Sequence, residues 1–236
     1  MRINKYLAGC GVASRRKCEE YILQGRIAVN GNLVTELATE VNEHKDKVTM
    51  DGKLLSYENE AVYYMLNKPK GVISAANSRY GEKTVVDLIE DEENRIYPIG
   101  RLDKDTTGLI FLTNDGSLAY KLTHPRFERE KVYEAIIKGK IDIDDINKLK
   151  KGIMSEDEKL VASNVRLVKM IKGNSLVHIT LREGKKRQVR RMCRAIGHPV
   201  VELKRISEGG IELGNLEEGQ YRKLTRNEVR KLLTGK

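Results

Sequence analysis

Between Gly100 and Gly116 the chain reads GRLDKDTTGLIFLTNDG, and the unbroken apolar run Leu109, Ile110, Phe111, Leu112 within it limits what can form around it. A run this short, bounded by Gly108 on one side and by Asn114, Asp115 and Gly116 on the other, suits a strand covered on both faces. Asp103, Lys104 and Asp105 sit in the loop ahead of that strand, after the shorter apolar run from Ile96 to Ile99. A carboxylate at the mouth of a buried strand is held firmly yet stays reachable. Most loop aspartates are turn residues or helix caps all the same, so position alone does not assign Asp103 a chemical role. Leu118 and Leu122 at helical spacing predict a short helix that Pro125 stops.

The chain has 236 residues and a formal net charge of +10. That length suits one large domain, or a domain with a small appendage. The charge is focused: Met1–Gly31 holds six basic residues against two acidic ones, and Arg182–Arg205 nine against two. Such clustering is the footprint of a polyanionic partner. Cys10, Cys18 and Cys193 are odd in number and far apart, and His44, His124, His178 and His198 are scattered. The spacings match neither a disulfide framework nor a zinc site. No apolar run approaches membrane-spanning length, and no hydrophobic segment of signal-peptide type follows Arg2 and Lys5. The expectation is a cytoplasmic protein with reduced thiols, no metal, no small-molecule cofactor and no membrane partner.

Read in order, Ile3, Tyr6 and Leu7 predict one helix, and Ser14 caps a second that turns Cys18, Tyr21 and Ile22 inward and stops at Gly25. Ile27 and Val29 alternate ahead of Asn30-Gly31, a hairpin signal, and Leu33 begins the return strand. Arg15, Arg16 and Lys17 open the second helix where its dipole disfavours cations, a placement that points to another use. The polar stretch from Asn42 to Glu60, with a turn at Asp51-Gly52, is expected to become a linker, which divides the chain into 1–60 and 61–236. Beyond it, Val62, Tyr64 and Leu66 alternate with Tyr63 and Met65 as a strand running into the turn Lys68, Pro69, Lys70, Gly71. Lys131–Ile137, Val161–Val168 and Leu176–Leu181 read as further strands, and Asp142–Lys151 as a surface helix.

In EGKKRQVRRMCRAIGHP, Val189, Met192, Cys193 and Ile196 form one apolar stripe of a helix ended by Gly197 and Pro199. At about 100° per residue, Arg187, Arg191 and Arg194 point roughly 150–170° from the stripe centre, and Arg190 lies about 110° from it. Arg190 is therefore only partly outward. A strand around Ile211 and Leu213 and a last helix with a capping box at Thr225 and Glu228 complete the chain.

Several of these strings resemble those of RNA pseudouridine synthases, in the branch that modifies ribosomal RNA, the RsuA/RluB group. The likeness runs from KPKG through GRLDKDTTGL and KVY to EGKKRQVRRM, and ASRRKCEEYILQGRIAVNG resembles the small RNA-binding module called the alpha-L motif. It implies an α+β protein, with a helix and hairpin RNA-binding module joined to a larger domain that has a mixed, mainly antiparallel sheet. It implies that Asp103 is the catalytic carboxylate, that Tyr133 stacks on the target base, and that Arg190 pairs with Asp103. Arg101 is the next candidate for that partner. Arg15, Arg16, Lys17, Arg26, Lys68, Arg101, Lys186, Arg187, Arg191 and Arg194 are then expected to contact RNA. The implied reaction neither oxidises nor hydrolyses, so a metal or cofactor has no role in it, and the implied partner is ribosomal RNA or a pre-ribosomal particle acted on by a monomer.

A target uridine stacked within folded RNA must be flipped out, and Tyr133 would offset part of that cost. A carboxylate withdrawn from water is neutralised unless a cation stands beside it. The large ribosomal subunit is favoured over the small one. A non-enzymatic RNA-binding or ribosome-assembly protein explains the basic residues equally well but leaves Asp103 without a task. A hydrolase using Asp103 and Asp105 as a carboxylate pair leaves the basic surface unexplained.

Overall fold

The computed structural model describes residues 1–57, 60–90 and 92–235 of the chain. They divide into two compact units, one comprising Met1–Val62 with Glu92–Arg95 and the other the remaining residues.

In the first unit α1 (Ile3–Gly9) and α2 (Arg15–Leu23) pack over a four-stranded sheet of β1 (Ile27–Val29), β2 (Asn32–Leu33), β3 (Val48–Met50) and β4 (Lys53–Leu54), in the order β2-β1-β3-β4. Ser14 caps α2 by accepting the Lys17 backbone N–H. Asn30 and Gly31 both take positive φ, 51° and 83°, the conformation a two-residue hairpin of this twist requires. Ile3, Leu7, Cys18, Ile22, Ile27 and Val48 are fully buried and form a core belonging to this unit alone. Val48 corrects the linker expectation. It draws β3 alongside β1 with Ile27 opposite Met50, so much of the polar stretch after Asn42 is sheet and its turn at Asp51-Gly52 joins β3 to β4. Glu58 and Asn59, within that stretch, lie outside the described residues.

The second unit is built on a mixed sheet. Its strands are β5 (Tyr63–Lys68), β6 (Tyr97–Ile99), β7 (Thr107–Thr113), β8 (Lys131–Ile137), β11 (Asn164–Ile171), β12 (Asn174–Leu181), β13 (Val200–Glu208), β14 (Ile211–Glu212) and β15 (Tyr221–Lys223). The main path is β11-β12-β8-β13-β7-β5-β15, with β6 on β7 and β14 on β13. Only β13 and β7 run parallel among these named strands. Helices α3 (Gly116–Thr123), α4 (Ile143–Lys151), α5 (Gln188–Ala195) and α6 (Arg226–Thr234) and a separate hairpin of β9 (Ile153–Ser155) and β10 (Glu158–Leu160) complete the unit. Thr225 and Glu228 make the expected capping box on α6, and Asp115 caps α3.

β7 is the central strand the apolar run predicts. Leu109, Ile110, Phe111 and Leu112 are all fully buried, with Phe111 in a core shared with Met65, Leu118, Leu122 and Leu232. Its parallel pairing with β13 places Gly108 opposite Arg205, where an added Cβ would stand 2.2 Å from the Arg205 carbonyl oxygen. Only glycine lets the two backbones approach so closely, and it does so at φ +105°. The short strand β15 gave no alternation signal; it zips Tyr221 against Leu66 on the outer side of β5.

Candidate active site

The loop from Gly100 to Thr106 enters β7 from the end of β6 and is fastened on several sides. The Ser74 hydroxyl accepts the Leu102 N–H and donates to the Leu102 carbonyl, both at 3.0 Å. Thr106 N–H donates to the Asp103 carbonyl at 3.0 Å and Gly71 N–H to that of Lys104 at 2.8 Å. Beneath this loop lies Lys68, which is fully buried. Its ammonium donates to the carbonyls of Pro69 and Val72 at 2.8 Å and of Lys104 at 3.4 Å, and burial pushes it down to about 8. Lys68 therefore cannot meet an RNA phosphate, contrary to expectation. It ends β5, which is buried on both faces from Tyr64 onward, and it donates to carbonyls that turn away from water.

Asp103 borders a cavity of about 920 Å³ also lined by Tyr133, Leu203, Arg205 and Arg187. Arg101, Arg129, Lys131, Arg182 and Lys185 make its wall predominantly basic. Tyr133 is 9% exposed on β8, opposite Arg205 of β13, and burial raises its phenol. It lines the same cavity as Asp103.

The charges around Asp103 differ from the expected pair. Arg187 lies 3.7 Å from the Asp103 carboxylate and 3.3 Å from that of Asp105. Arg190 meets Asp105 instead, 3.2 Å from its carboxylate, and donates to the Asp105 carbonyl at 3.1 Å and the Thr106 hydroxyl at 3.4 Å. Burial alone would raise the Asp105 carboxyl, but Arg187 and Arg190 outweigh it and hold it below the usual carboxylate range. The helical wheel sorts side chains by angle around α5 and carries no information on which carboxylate of the loop each reaches. Arg187 precedes the helix with φ +50°, off the wheel altogether, and this turn points it back toward the loop.

Arg191 is a second correction. Although it lies away from the apolar stripe, its side chain is 11% exposed, because the β9–β10 hairpin packs on that face. It donates to the Ser155 carbonyl and to Glu158 at 2.7 Å, and stands 3.6 Å from Glu156. Fixed in this way, Arg191 is not available to RNA. Lys186, Arg187 and Arg194 are exposed, as is Arg101. In the first unit Arg15, Arg16 and Lys17 are exposed at the start of α2, Lys17 paired with Glu20 at 2.5 Å. Arg26 is held by Asp51 and lies over the Tyr21 ring at 4.5 Å.

Two further residues at the cavity floor carry no motif of their own. Arg205 and Glu208 are buried, with 3.0 Å between guanidinium and carboxylate, and Arg205 Nε donates to the Leu109 carbonyl at 2.7 Å. Lys131, two residues from Tyr133, stands 3.9 Å from Glu208, and burial lowers its ammonium. The signal in the sequence was parity: Leu203 and Arg205 share the inward face of β13, so a charge there needed a buried partner.

A basic cavity lined by a tyrosine and edged by an aspartate within an aspartate–arginine cluster has the makings of an enzyme acting on nucleic acid. A family model described as RNA pseudouridylate synthase matches residues 62–195, and one described as S4 domain matches 1–48. The ribosomal large subunit pseudouridine synthase B of Bacillus subtilis is 45% identical over 98% of this chain and 95% of that protein. An uncharacterized RNA pseudouridine synthase of Aquifex aeolicus is 44% identical over 98% of this chain and 93% of its own length. A crystal structure of a pseudouridylate synthase matches with a TM-score of 0.69 at 31% identity, over 98% of this chain and 99% of that one. The chain belongs to the RNA pseudouridylate synthase family: it is an isomerase acting on RNA, with an N-terminal S4 domain.

Proposed function

We propose that this chain converts one uridine of large-subunit ribosomal RNA to pseudouridine, with Asp103 as the catalytic carboxylate. The observation that carries the reading is the placement of Asp103 at the edge of a basic cavity lined by Tyr133, with Arg187 at 3.7 Å. The extensive identity to a large-subunit enzyme favours that subunit over the small one.

In the reaction the bond from C1′ to N1 breaks, the uracil turns, and C1′ bonds to C5. The C5 proton leaves and N1 ends protonated, so atoms balance without oxidant or water. A flipped uridine entering the cavity brings its sugar to Asp103 and its base over the Tyr133 ring. Arg187 faces the Asp103 carboxylate at 3.7 Å, and that carboxylate attacks sugar or base, or removes a sugar proton. Arg190 acts one step back: by holding Asp105 it keeps Arg187 in place. Both carboxylates then serve one cation network, a use that suits isomerisation and leaves no separate acid and base for hydrolysis.

Arg15, Arg16, Lys17 and Arg26 in the S4 unit, and Arg101, Lys186 and Arg194 around the cavity, are the proposed phosphate contacts, while Arg187 is engaged by Asp103 and Asp105. The domain boundary falls near residue 60. The enzyme works as a cytoplasmic monomer on ribosomal RNA or a pre-ribosomal particle and needs no small-molecule cofactor, because every proton and electron is supplied within the substrate and the side chains.

The test is incubation of the purified chain with fragments of both ribosomal RNAs, scored for pseudouridine by nucleoside analysis. Modification of a large-subunit fragment is expected. Asp103→Ala should turn over at less than about one-thousandth of the normal rate with RNA affinity kept. Near-normal turnover by that variant overturns the assignment, and modification of small-subunit fragments alone moves the substrate.

A further inference from the structure

One wall of the cavity is made by the end of α3 and the turn after it, where His124, Pro125 and Arg129 line the same space as Asp103. This wall abuts the catalytic loop: a Cβ built on Gly100 would lie 3.9 Å from the Thr123 methyl group. The same stretch displays an aromatic and cationic cluster that the isomerisation chemistry leaves unused. Tyr120 is 44% exposed on α3. Its ring lies 4.7 Å from the His124 imidazole and meets Phe127 edge-on at 5.9 Å. The guanidinium of Arg126 lies over both rings, 5.0 Å from Tyr120 and 4.6 Å from Phe127.

The backbone under this cluster is rigid for local reasons. Pro125 opens a tight turn over Pro125–Phe127, His124 Nδ1 accepts the Arg126 N–H at 3.3 Å, and Glu128 closes it in the left-handed conformation. Arg126 is exposed and has no ion-pair partner among the described residues. An apolar protein partner would leave that charge stranded. A nucleotide satisfies both features at once, since its base has a flat face for Tyr120 or Phe127 and its phosphate pairs with Arg126. Arg129 of this wall and Arg101 of the catalytic loop line the same cavity and extend the positive potential from this cluster into it.

We propose that Tyr120, Arg126 and Phe127 form a stacking platform that receives the unpaired base next to the target uridine while the uridine itself enters the cavity. The inference rests on RNA being the substrate. Flipping one nucleotide exposes a face of its neighbour, and a preorganised aromatic surface at the rim recovers that stacking at little entropic cost.

The test is a cycle between protein and RNA using the full chain. Ribosomal RNA stem-loops that the wild type modifies, or failing modification those it binds, are made with a single abasic nucleotide at each position flanking the unpaired uridine. Dissociation constants come from fluorescence anisotropy, and KM and kcat from pseudouridine formation. Tyr120→Ala and Arg126→Ala are each expected to weaken binding about ten-fold on intact RNA, with kcat changed less than about two-fold. One abasic position should cost the wild type a similar factor and cost the variants nothing more, and Tyr120→Phe should restore affinity. Losses that add at every abasic position, or affinities equal to wild type, overturn the platform. If no fragment is isomerised, the enzymatic reading fails on its own, while the anisotropy cycle still decides whether these rings take a base.

Discussion

Asp105 accepts from both terminal nitrogens of Arg187, at 3.3 and 3.4 Å, and faces Arg190 at 3.2 Å, so a small network of charge stands beside Asp103. Because the arginines hold its folded pKa below the unfolded value, the carboxylate contributes stability that is fully present above the usual aspartate range. That stability is lost as pH falls through the lowered folded value. Asp105→Asn should therefore flatten the dependence of the urea midpoint on pH from about 5 downward, through the usual aspartate value of about 4 and below it. It should also lower kcat about ten- to hundred-fold while RNA affinity changes little, since it frees both arginines and takes no cation away from the RNA. Lys68 is also lowered, but by burial, which disfavours its charged form. Its folded pKa, about 8, is below the unfolded one, so the unfolded chain binds more protons between those values and stability rises with pH across that window. Lys68→Met should abolish this rise and, by leaving buried carbonyls without their donor, cost about 2–4 kcal/mol in denaturant titration.

Helix α5 shows how one element serves two neighbours. Val189, Met192 and Cys193 bury the apolar stripe, and the β9–β10 hairpin covers a second face through Arg191. Arg191 and Arg194 both lie away from the stripe, yet one is a structural clamp and the other is exposed. Arg191→Gln should lower the midpoint of thermal unfolding and leave the salt dependence of RNA binding unchanged. Arg194→Gln should leave stability unchanged and reduce that salt slope by about 0.7–0.9 if it meets a phosphate. Equal effects of the two substitutions on the slope would show that the hairpin clamp opens on RNA. In β13 the inward Arg205 is matched by Glu208 three residues on, a pairing that a bulge after Arg205 makes possible by restoring Glu208 to the buried face.

At the scale of the molecule, each unit has a core of its own, with Ile3, Leu7, Ile22 and Val48 in the first and Phe111, Leu118 and Leu232 in the second. Removal of residues 1–60 should therefore leave a cooperatively folding remainder, measured by urea unfolding. Its affinity for ribosomal RNA should fall. The slope of log affinity against log salt should flatten by roughly 0.7–0.9 for each phosphate that Arg15, Arg16, Lys17 or Arg26 neutralises in the full chain. An unchanged slope would assign the S4 unit to a different partner.

Local chemistry was legible throughout the chain. Ser14, Asn30-Gly31, Asp115 and the Thr225–Glu228 box act within a few residues of themselves, so their signals survive in one dimension, and the apolar run at Leu109–Leu112 announces its own burial. The motif strings placed Asp103 in a fastened loop and Tyr133 in a strand for the same reason. Partners distant in sequence were not legible. Val48 became a strand because Ile27 needed a neighbour, and Lys68 became buried because the loops at Val72 and Lys104 close over it. Arg190 went to Asp105 because the loop that presents both aspartates is shaped by Ser74 and Gly71. Which carboxylate a guanidinium reaches depends on ångström-scale positions of separate elements, and sequence periodicity records only the direction in which a side chain leaves its own backbone.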